Sequence, residues 1–289
     1  MYPEILRIGG FAVTSFGVMM FASFLAGAWV LSRQLERQGR SPELAWEVLV
    51  WVAIAGILGA KLYYLGLHWR DLVADPLGEL TNRGGLVWYG GLIGGVSAYY
   101  WQMKRKKLPL APLFDATAPA LALAYAVGRL GCFLVGDDYG LPTTRWAGLR
   151  PLLDGAGGVG IAFPEGSPPS TAGYLRSVGA DIPASVPDAA VVAVHPTQLY
   201  EIGAALIMFG ILWKLSGQRL RAGRLFGAFL ALYGIERFLV EFVRAKGDRI
   251  AFGLSTSQVA SVLLLGVAGY LWSRRAGARA AAPAAQPAR

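Results

Sequence analysis

Four short strings carry the groups that can do chemistry. The first is Gly128-Arg129-Leu130-Gly131-Cys132-Phe133-Leu134-Val135-Gly136-Asp137-Asp138-Tyr139-Gly140. Its glycines let a backbone or a ligand come close, and Arg129 presents a planar fork suited to phosphate oxygens. The second is Glu236-Arg237-Phe238-Leu239-Val240-Glu241-Phe242-Val243-Arg244. Arg237 and Glu241 are four apart and Arg244 is three further on, so a helix places them on one face. The third is His195-Pro196-Thr197-Gln198-Leu199-Tyr200-Glu201, where Pro196 fits the first turn of a helix. His195 by itself is more often structural than catalytic, while Tyr200 and Glu201 extend the polar string. The fourth is Arg83-Gly84-Gly85-Leu86-Val87-Trp88-Tyr89-Gly90-Gly91-Leu92-Ile93-Gly94-Gly95. Its two overlapping GxxxG steps read first as close helix packing. Tyr89 reads equally as an interfacial aromatic or as a site hydroxyl.

The elements that hold these strings are set by composition. Of 289 residues, 55% are hydrophobic and 16% charged, with a mean hydropathy of +0.45. A soluble domain is nearer a quarter charged. Disorder needs the opposite balance, and a single cysteine, Cys132, excludes a disulfide scaffold. The net charge is +9, but the basic residues sit in short clusters between apolar runs. That is how membrane proteins set orientation, so nucleic acid is not an expected partner.

A bilayer-crossing helix needs about 20 mainly apolar residues. Seven such runs are expected: Phe11–Leu31, Ala45–Leu67, Gly85–Met103, Leu110–Val135, Thr197–Leu215, Leu225–Val243 and Ser255–Trp272. The first lacks the basic start and small-residue cleavage site of a signal peptide. Fifteen Lys and Arg fall in the connections on one side, including Arg33, Arg37, Arg40 and Lys104-Arg105-Lys106-Lys107, against nine spread over the longer opposite side. By the positive-inside rule the N-terminus faces outward and the C-terminus the cytoplasm. The fold class expected is all-α, a polytopic membrane bundle in one domain over 1–275. A small periplasmic cap over 141–194 joins helices four and five, and an Ala/Pro/Arg-rich tail over 276–289 is expected to be disordered. No convincing internal repeat is seen, which argues against an inverted-repeat transporter. Lys61, Arg129 and Arg237 are left at membrane depth, where ionisable groups are costly and usually functional. Asp115, Glu201, Glu236 and Glu241 are their acidic company. Lys61 reads equally as half of a structural ion pair. Arg244, Lys246 and Arg249 form a basic patch on the outer side, either an interfacial lipid anchor or an attraction for an anionic headgroup. Arg129 and Arg237 end on that same side and suggest an anionic headgroup as ligand.

Together the four strings resemble the bacterial prolipoprotein diacylglyceryl transferase family, over roughly Ile8 to Phe252. The His195–Glu201 and Arg237–Arg244 strings match closely, and the other two with substitutions. The resemblance implies a seven-helix enzyme of the bacterial inner membrane, acting as a monomer with no cofactor and no metal. Its substrates are phosphatidylglycerol and a prolipoprotein signal peptide with a lipobox cysteine, and glycerol phosphate is released. It assigns Arg129 to headgroup binding, matches Gly140, a substrate-binding candidate, to the glycine that ends that string, and matches Arg237 and Glu241 to the sixth span's Arg–Glu pair. Tyr89, Gly90, Gly91, Cys132, Tyr200, Glu201 and Arg244 complete the substrate-binding candidates. The chain departs from the family at four places. Phe16 stands before Gly17-Val18 where Tyr is frequent, and Tyr89 stands before the GGLIG run where many members have His. Cys132 replaces Asn, and Asp137, with Asp138 beside it, replaces Glu. Catalysis needs a base for the substrate thiol, since the thiolate is the nucleophile. Without the family histidine the candidates are Asp137, Glu241 and His195. Cys132 is expected to fill a small buried slot, because the reacting thiol belongs to the substrate. The departures leave an alternative open: a catalytically weak member that binds anionic lipid or a lipoprotein partner.

Overall fold

The computed structural model describes residues 4–9, 11–82, 84–143, 160–247, 250 and 253–274. The tail 276–289, the stretch 144–159 of the expected cap, and Arg83, Arg145, Arg150 and Arg249 lie outside the described residues. The chain is mostly helical. In order it contains β1 (Glu4–Ile8), β2 (Phe11–Thr14), α1 (Ser15–Arg37), α2 (Glu43–Leu67), α3 (Trp69–Ala74), α4 (Pro76–Thr81), α5 (Trp88–Arg105) and α6 (Leu110–Val135). Then follow β3 (Ile161–Ala162), α7 (Ala172–Ser177), β4 (Ala193–Val194), α8 (Thr197–Ser216), α9 (Arg224–Val240) and α10 (Thr256–Ser273). Among the described residues, five helices are long and apolar enough to cross a membrane: α1, α2, α6, α8 and α10. The other two expected runs are also helical, as α5 of 18 residues and α9 of 17.

Most ends moved by a few residues, α1 running on to Arg37 and α5 starting at Trp88, and at two boundaries the kind of structure changes. Phe11–Thr14 is not the start of the first long helix but a strand, paired antiparallel with Glu4–Ile8 around Gly9, which has φ +59°. An apolar run with Val13 and Thr14 suits a hairpin as well as a helix. The sixth run ends as a helix at Val240. Beyond it Phe242 N–H donates to Leu239 O and Val243 N–H to Val240 O, the tighter i→i−3 pattern of a terminal turn. The fold is therefore not purely helical, since two small two-stranded sheets, β1–β2 and β3–β4, accompany the helices.

The chain forms two compact units, and α1 and α6 contribute to both. The unit built on Ala28–Ala116 is organised by the pairing of α2 with α5. Gly59, Gly90 and Gly94 form its seam: a Cβ at Gly90 would overlap the Gly59 carbonyl, and one at Gly94 the Ala55 carbonyl. Backbones in such contact gain packing that side chains would forbid. Trp51 and Trp101 meet edge-on at 5.7 Å further along the seam. Lys61 is not in an ion pair among the described residues; its Nζ donates to Asn82 O at 2.8 Å and lies over the Tyr64 ring. The outer faces of α2 and α5 leave Ile57, Leu58, Leu62, Ile93 and Val96 exposed, as suits a lipid solvent rather than water.

The other unit takes in Met1–Gly27 and Thr117–Ala281. Its apolar core joins Ala118 and Ala122 of α6, Met208 and Leu212 of α8, Leu225, Ala228, Phe229 and Leu230 of α9, and Ala268 of α10. α10 opens on a capping box in which the Ser255 side chain accepts from Gln258 N–H and the Gln258 side chain accepts from Ser255 N–H. A second core unites Tyr139, Leu141, Phe163, Leu175, Ala180, Val194 and Ala245, with Tyr139 stacked on Phe163 at 5.3 Å. Three extended pieces are zipped beneath it. Gly140 N–H donates to His195 O at 2.8 Å, Leu141 N–H to Val243 O at 2.7 Å, and His195 N–H to Leu141 O at 3.0 Å. These bonds gather the C-terminal end of α6, the start of α8 and the exit from α9.

Candidate active site

At that junction three arginines meet one carboxylate. Glu201, in the second turn of α8, has a fully buried side chain. Its Oε1 accepts from Arg129 Nη2 at 2.8 Å, from Arg237 Nη1 at 2.5 Å and from Arg244 Nη1 at 3.5 Å. A buried carboxylate is tolerated only when charged donors surround it. Arg129 also donates from Nη1 to Asp138 Oδ2 at 2.7 Å, and Arg244 Nη2 donates to Asp138 Oδ1. Arg237 Nη2 donates to Glu241 Oε2 at 3.1 Å, and Arg244 Nε lies 3.9 Å from the same oxygen. Arg237 Nη2 lies 3.4 Å from Ser257 Oγ on α10. Arg129 stacks over the Tyr125 ring, and the Tyr125 hydroxyl is 3.4 Å from both Glu236 oxygens.

Local backbone chemistry explains why these groups converge. Gly140 forms an antiparallel bridge with Arg244, and a Cβ there would collide with Val243 O, His195 Cβ and Thr197 Cγ2. Gly140 therefore permits the chain crossing that delivers Arg244, whatever its part in headgroup binding. Thr197 Oγ1 donates to Asp138 O at 2.6 Å and Gln198 Nε2 donates to Asp137 O, so the start of α8 pins the loop that carries both acids. Arg244 corrects an expectation. It is off the helix and its side chain is 2% exposed, so it is neither one face with Arg237 nor a surface anchor.

The remaining candidates divide. Cys132 is buried, with Sγ 3.5 Å from Arg129 Nη1, as expected of a small slot. Phe16 and Met19 pack against Gly131 beside it. His195 and Tyr200 pair with each other, Nδ1 to hydroxyl at 3.2 Å, and burial pushes the His195 pKa below its ordinary value. Tyr89, Gly90 and Gly91 belong to the other unit; Tyr89 is 56% exposed and both glycines face α2. Burial pushes the Asp137 carboxyl up to about 6, helped by the charge of Asp138. Burial acts on Asp138 in the same sense, but Arg244 and Arg129 overcome it and hold that group at about 2.

Tyr125, Asp138, Glu236 and Ser257 are site residues that the motifs did not single out as catalytic or binding. Tyr125 was within reach of sequence reasoning, being four residues before Arg129 on one helix face. Ser257 comes from a different helix, and no local spacing announces it. Cys132, Asp137 and Asp138 bring possible metal-ligand atoms within 4.8 Å of one another. Arg129 donates to two of the three, so the positive charge among them is the guanidinium itself.

The candidate site is thus a cluster of buried arginines paired with carboxylates at the end of a helical membrane-protein unit. Residues 3–274 match the family described as Prolipoprotein diacylglyceryl transferase, and the chain belongs to that family. It is 30% identical to the phosphatidylglycerol–prolipoprotein diacylglyceryl transferase of Clostridium tetani, covering 92% of this chain and 94% of that one. It is 31% identical to the enzyme of the same name from Chromohalobacter salexigens (95% and 94%) and 28% to that of Gloeobacter violaceus (97% and 96%).

Proposed function

We propose that this protein transfers the diacylglyceryl group of phosphatidylglycerol to the lipobox cysteine thiol of a prolipoprotein and releases glycerol phosphate. The observation that carries this reading is the convergence of Arg129, Arg237 and Arg244 on one carboxylate oxygen. Groups that can share one carboxylate oxygen can share the oxygens of one phosphate. In the reaction the substrate thiolate forms a C–S bond to the glycerol carbon bearing the phosphate. The C–O bond to phosphate breaks, and its electron pair leaves on the phosphate oxygen. Charge grows there in the transition state, and buried guanidiniums aimed at it contribute most where water is excluded.

The thiol proton needs an acceptor. Glu241 is held by Arg237, and burial makes His195 a weaker base. Asp137 and Glu241 each have a buried oxygen without a hydrogen-bond partner among the described residues, but only Asp137 is free of an arginine pair and raised by burial to about 6. A base poised near the working pH is the effective one, so Asp137 is our choice.

In the membrane we read seven spans, α1, α2, α5, α6, α8, α9 and α10. The N-terminus and the 141–194 cap are periplasmic, and the C-terminus is cytoplasmic. The membrane is the bacterial inner membrane, and the protein acts as a monomer in one domain over 1–275. The Lys/Arg asymmetry supports this orientation. The test is the purified full chain in phosphatidylglycerol-containing micelles with a lipobox peptide. Thioether-linked diacylglyceryl peptide and glycerol phosphate should form in equal amounts. Lipid binding without either product would leave a lipid-binding protein instead.

A further inference from the structure

We propose that the Asp138 carboxylate, bridging Arg129 and Arg244, stands where a phosphate group binds and leaves when one arrives, so that an anionic headgroup enters by exchange. This rests on the reading of the arginine cluster as a phosphate site. Three observations carry it. Asp138 offers one oxygen to each of two guanidiniums, Oδ2 to Arg129 and Oδ1 to Arg244. A phosphate presents the same two-point pattern to two forks. Three guanidiniums already face three carboxylates here, Asp138, Glu201 and Glu241. An arriving anion meets a neutralised cluster, with Asp137 and Glu236 adding only more acid nearby. It gains little unless one carboxylate withdraws, because like charges in a buried site repel strongly.

Of the three, Asp138 is the one able to withdraw. Its side chain is 35% exposed, against 0% for Glu201 and 2% for Glu241. Glu201 lies within α8 and Glu241 caps α9, whereas Asp138 lies in the loop between α6 and β3, at φ +59°, two residues after Gly136 at φ +72°. A non-glycine residue in the left-handed region is uncommon and points to a local constraint. Exposed Lys246 lies within electrostatic reach and offers the displaced carboxylate a new partner.

An internal competitor lowers apparent affinity by the fraction of time it leaves the site open. Asp138→Asn keeps the shape and tolerates the left-handed backbone but removes the charge. In the full-length enzyme it should lower the KM for phosphatidylglycerol micelles, and the inhibition constant of soluble glycerol 1-phosphate, each by about tenfold. The readout is these two constants, not kcat. Movement of both constants identifies the phosphate itself as the exchanging group; movement of the lipid constant alone assigns the exchange to the intact headgroup. Either supports exchange. Asp138→Gly, natural at this φ, carries the same expectation should the Asn variant fold poorly. An unchanged or raised KM in both variants overturns the proposal, and with a reduced kcat it makes Asp138 a positioning residue. Arg129→Ala separates the underlying reading. If it turns over and binds both probes normally, the phosphate site itself is wrong and the exchange falls with it.

Discussion

Arg129 and Arg237 act through one shared acceptor, and this sets what their removal should do. Arg129→Ala and Arg237→Ala should each lower turnover by about a hundredfold or more, the loss typical of a contact to developing charge. The double variant should lose less than the product of the two, because both serve the same group. Arg129→Lys keeps the charge but has no fork to divide between Glu201 and Asp138, so it should not restore the rate. Single-turnover rates on each folded variant measure this. Folding must be checked alongside, since breaking a buried pair costs about 3–5 kcal/mol. Full multiplicativity of the two losses would mean the arginines serve separate groups.

With Asp137 proposed as the base, the pH dependence should follow its carboxyl. As the thiol's base it must be ionised, so kcat/KM should fall as pH drops through about 6. Asp137→Asn should remove that limb together with most of the rate. The folded state holds this proton more tightly than an unfolded chain, whose carboxyl titrates near 3.8. Asp137 therefore costs stability as pH rises from about 4 to about 6. Asp138 has the opposite sign: its stabilisation is present above about 4 and fades as pH falls towards 2. The two arginines, Glu201 and Glu241 were legible in the sequence because charge in an apolar run is conspicuous. The burial of Arg244 was not legible, because it depends on a bridge to Gly140 a hundred residues away.

At the scale of elements, apolar length is the strong signal and ends are the weak one. All seven expected runs contain a long helix, yet the first begins at Ser15 behind a hairpin and the sixth stops at Val240. Hydropathy reports which stretch is apolar; the hydrogen bonds of its last turn decide where it stops. The glycines of the fourth string behave as packing residues. Gly90→Val should push α5 off α2 and destabilise the protein by about 1–3 kcal/mol, the usual cost of overpacking. Gly66→Ala in α2, where a Cβ meets nothing within 4 Å, should be neutral or slightly stabilising. Thermal unfolding in detergent compares the two. Equal melting temperatures would mean the seam does not depend on that close approach.

For the whole molecule the decisive quantity is orientation. In a Cys132→Ser background, cysteines at positions 38, 105 and 168 should divide sharply. An impermeant thiol reagent applied to intact cells, with the outer membrane made permeable, should label 168 and spare 38 and 105. Labelling of 105 but not 168 would invert the topology. Composition and charge clustering made the membrane class legible from sequence. The division into two compact units was not, since it cuts α1 and α6 rather than falling in a connection. An apolar helix carries no mark of where its neighbours change.

The crossing at Gly140 and Arg244 has a consequence for biogenesis. The parts of the anion cluster enter the growing chain in widely spaced instalments: Arg129 and Asp138, then Glu201, then Arg237, Glu241 and Arg244. Until the last of these leaves the ribosome, Glu201 has no complete set of donors and Leu141 cannot reach Val243. If the cluster is the phosphate site, a nascent chain can insert its early helices and still lack that site. On the proposed reading, competence for a phosphate headgroup should arrive in one late step, when the segment after α9 closes the junction. Chains interrupted before that point should then be inert rather than half-active.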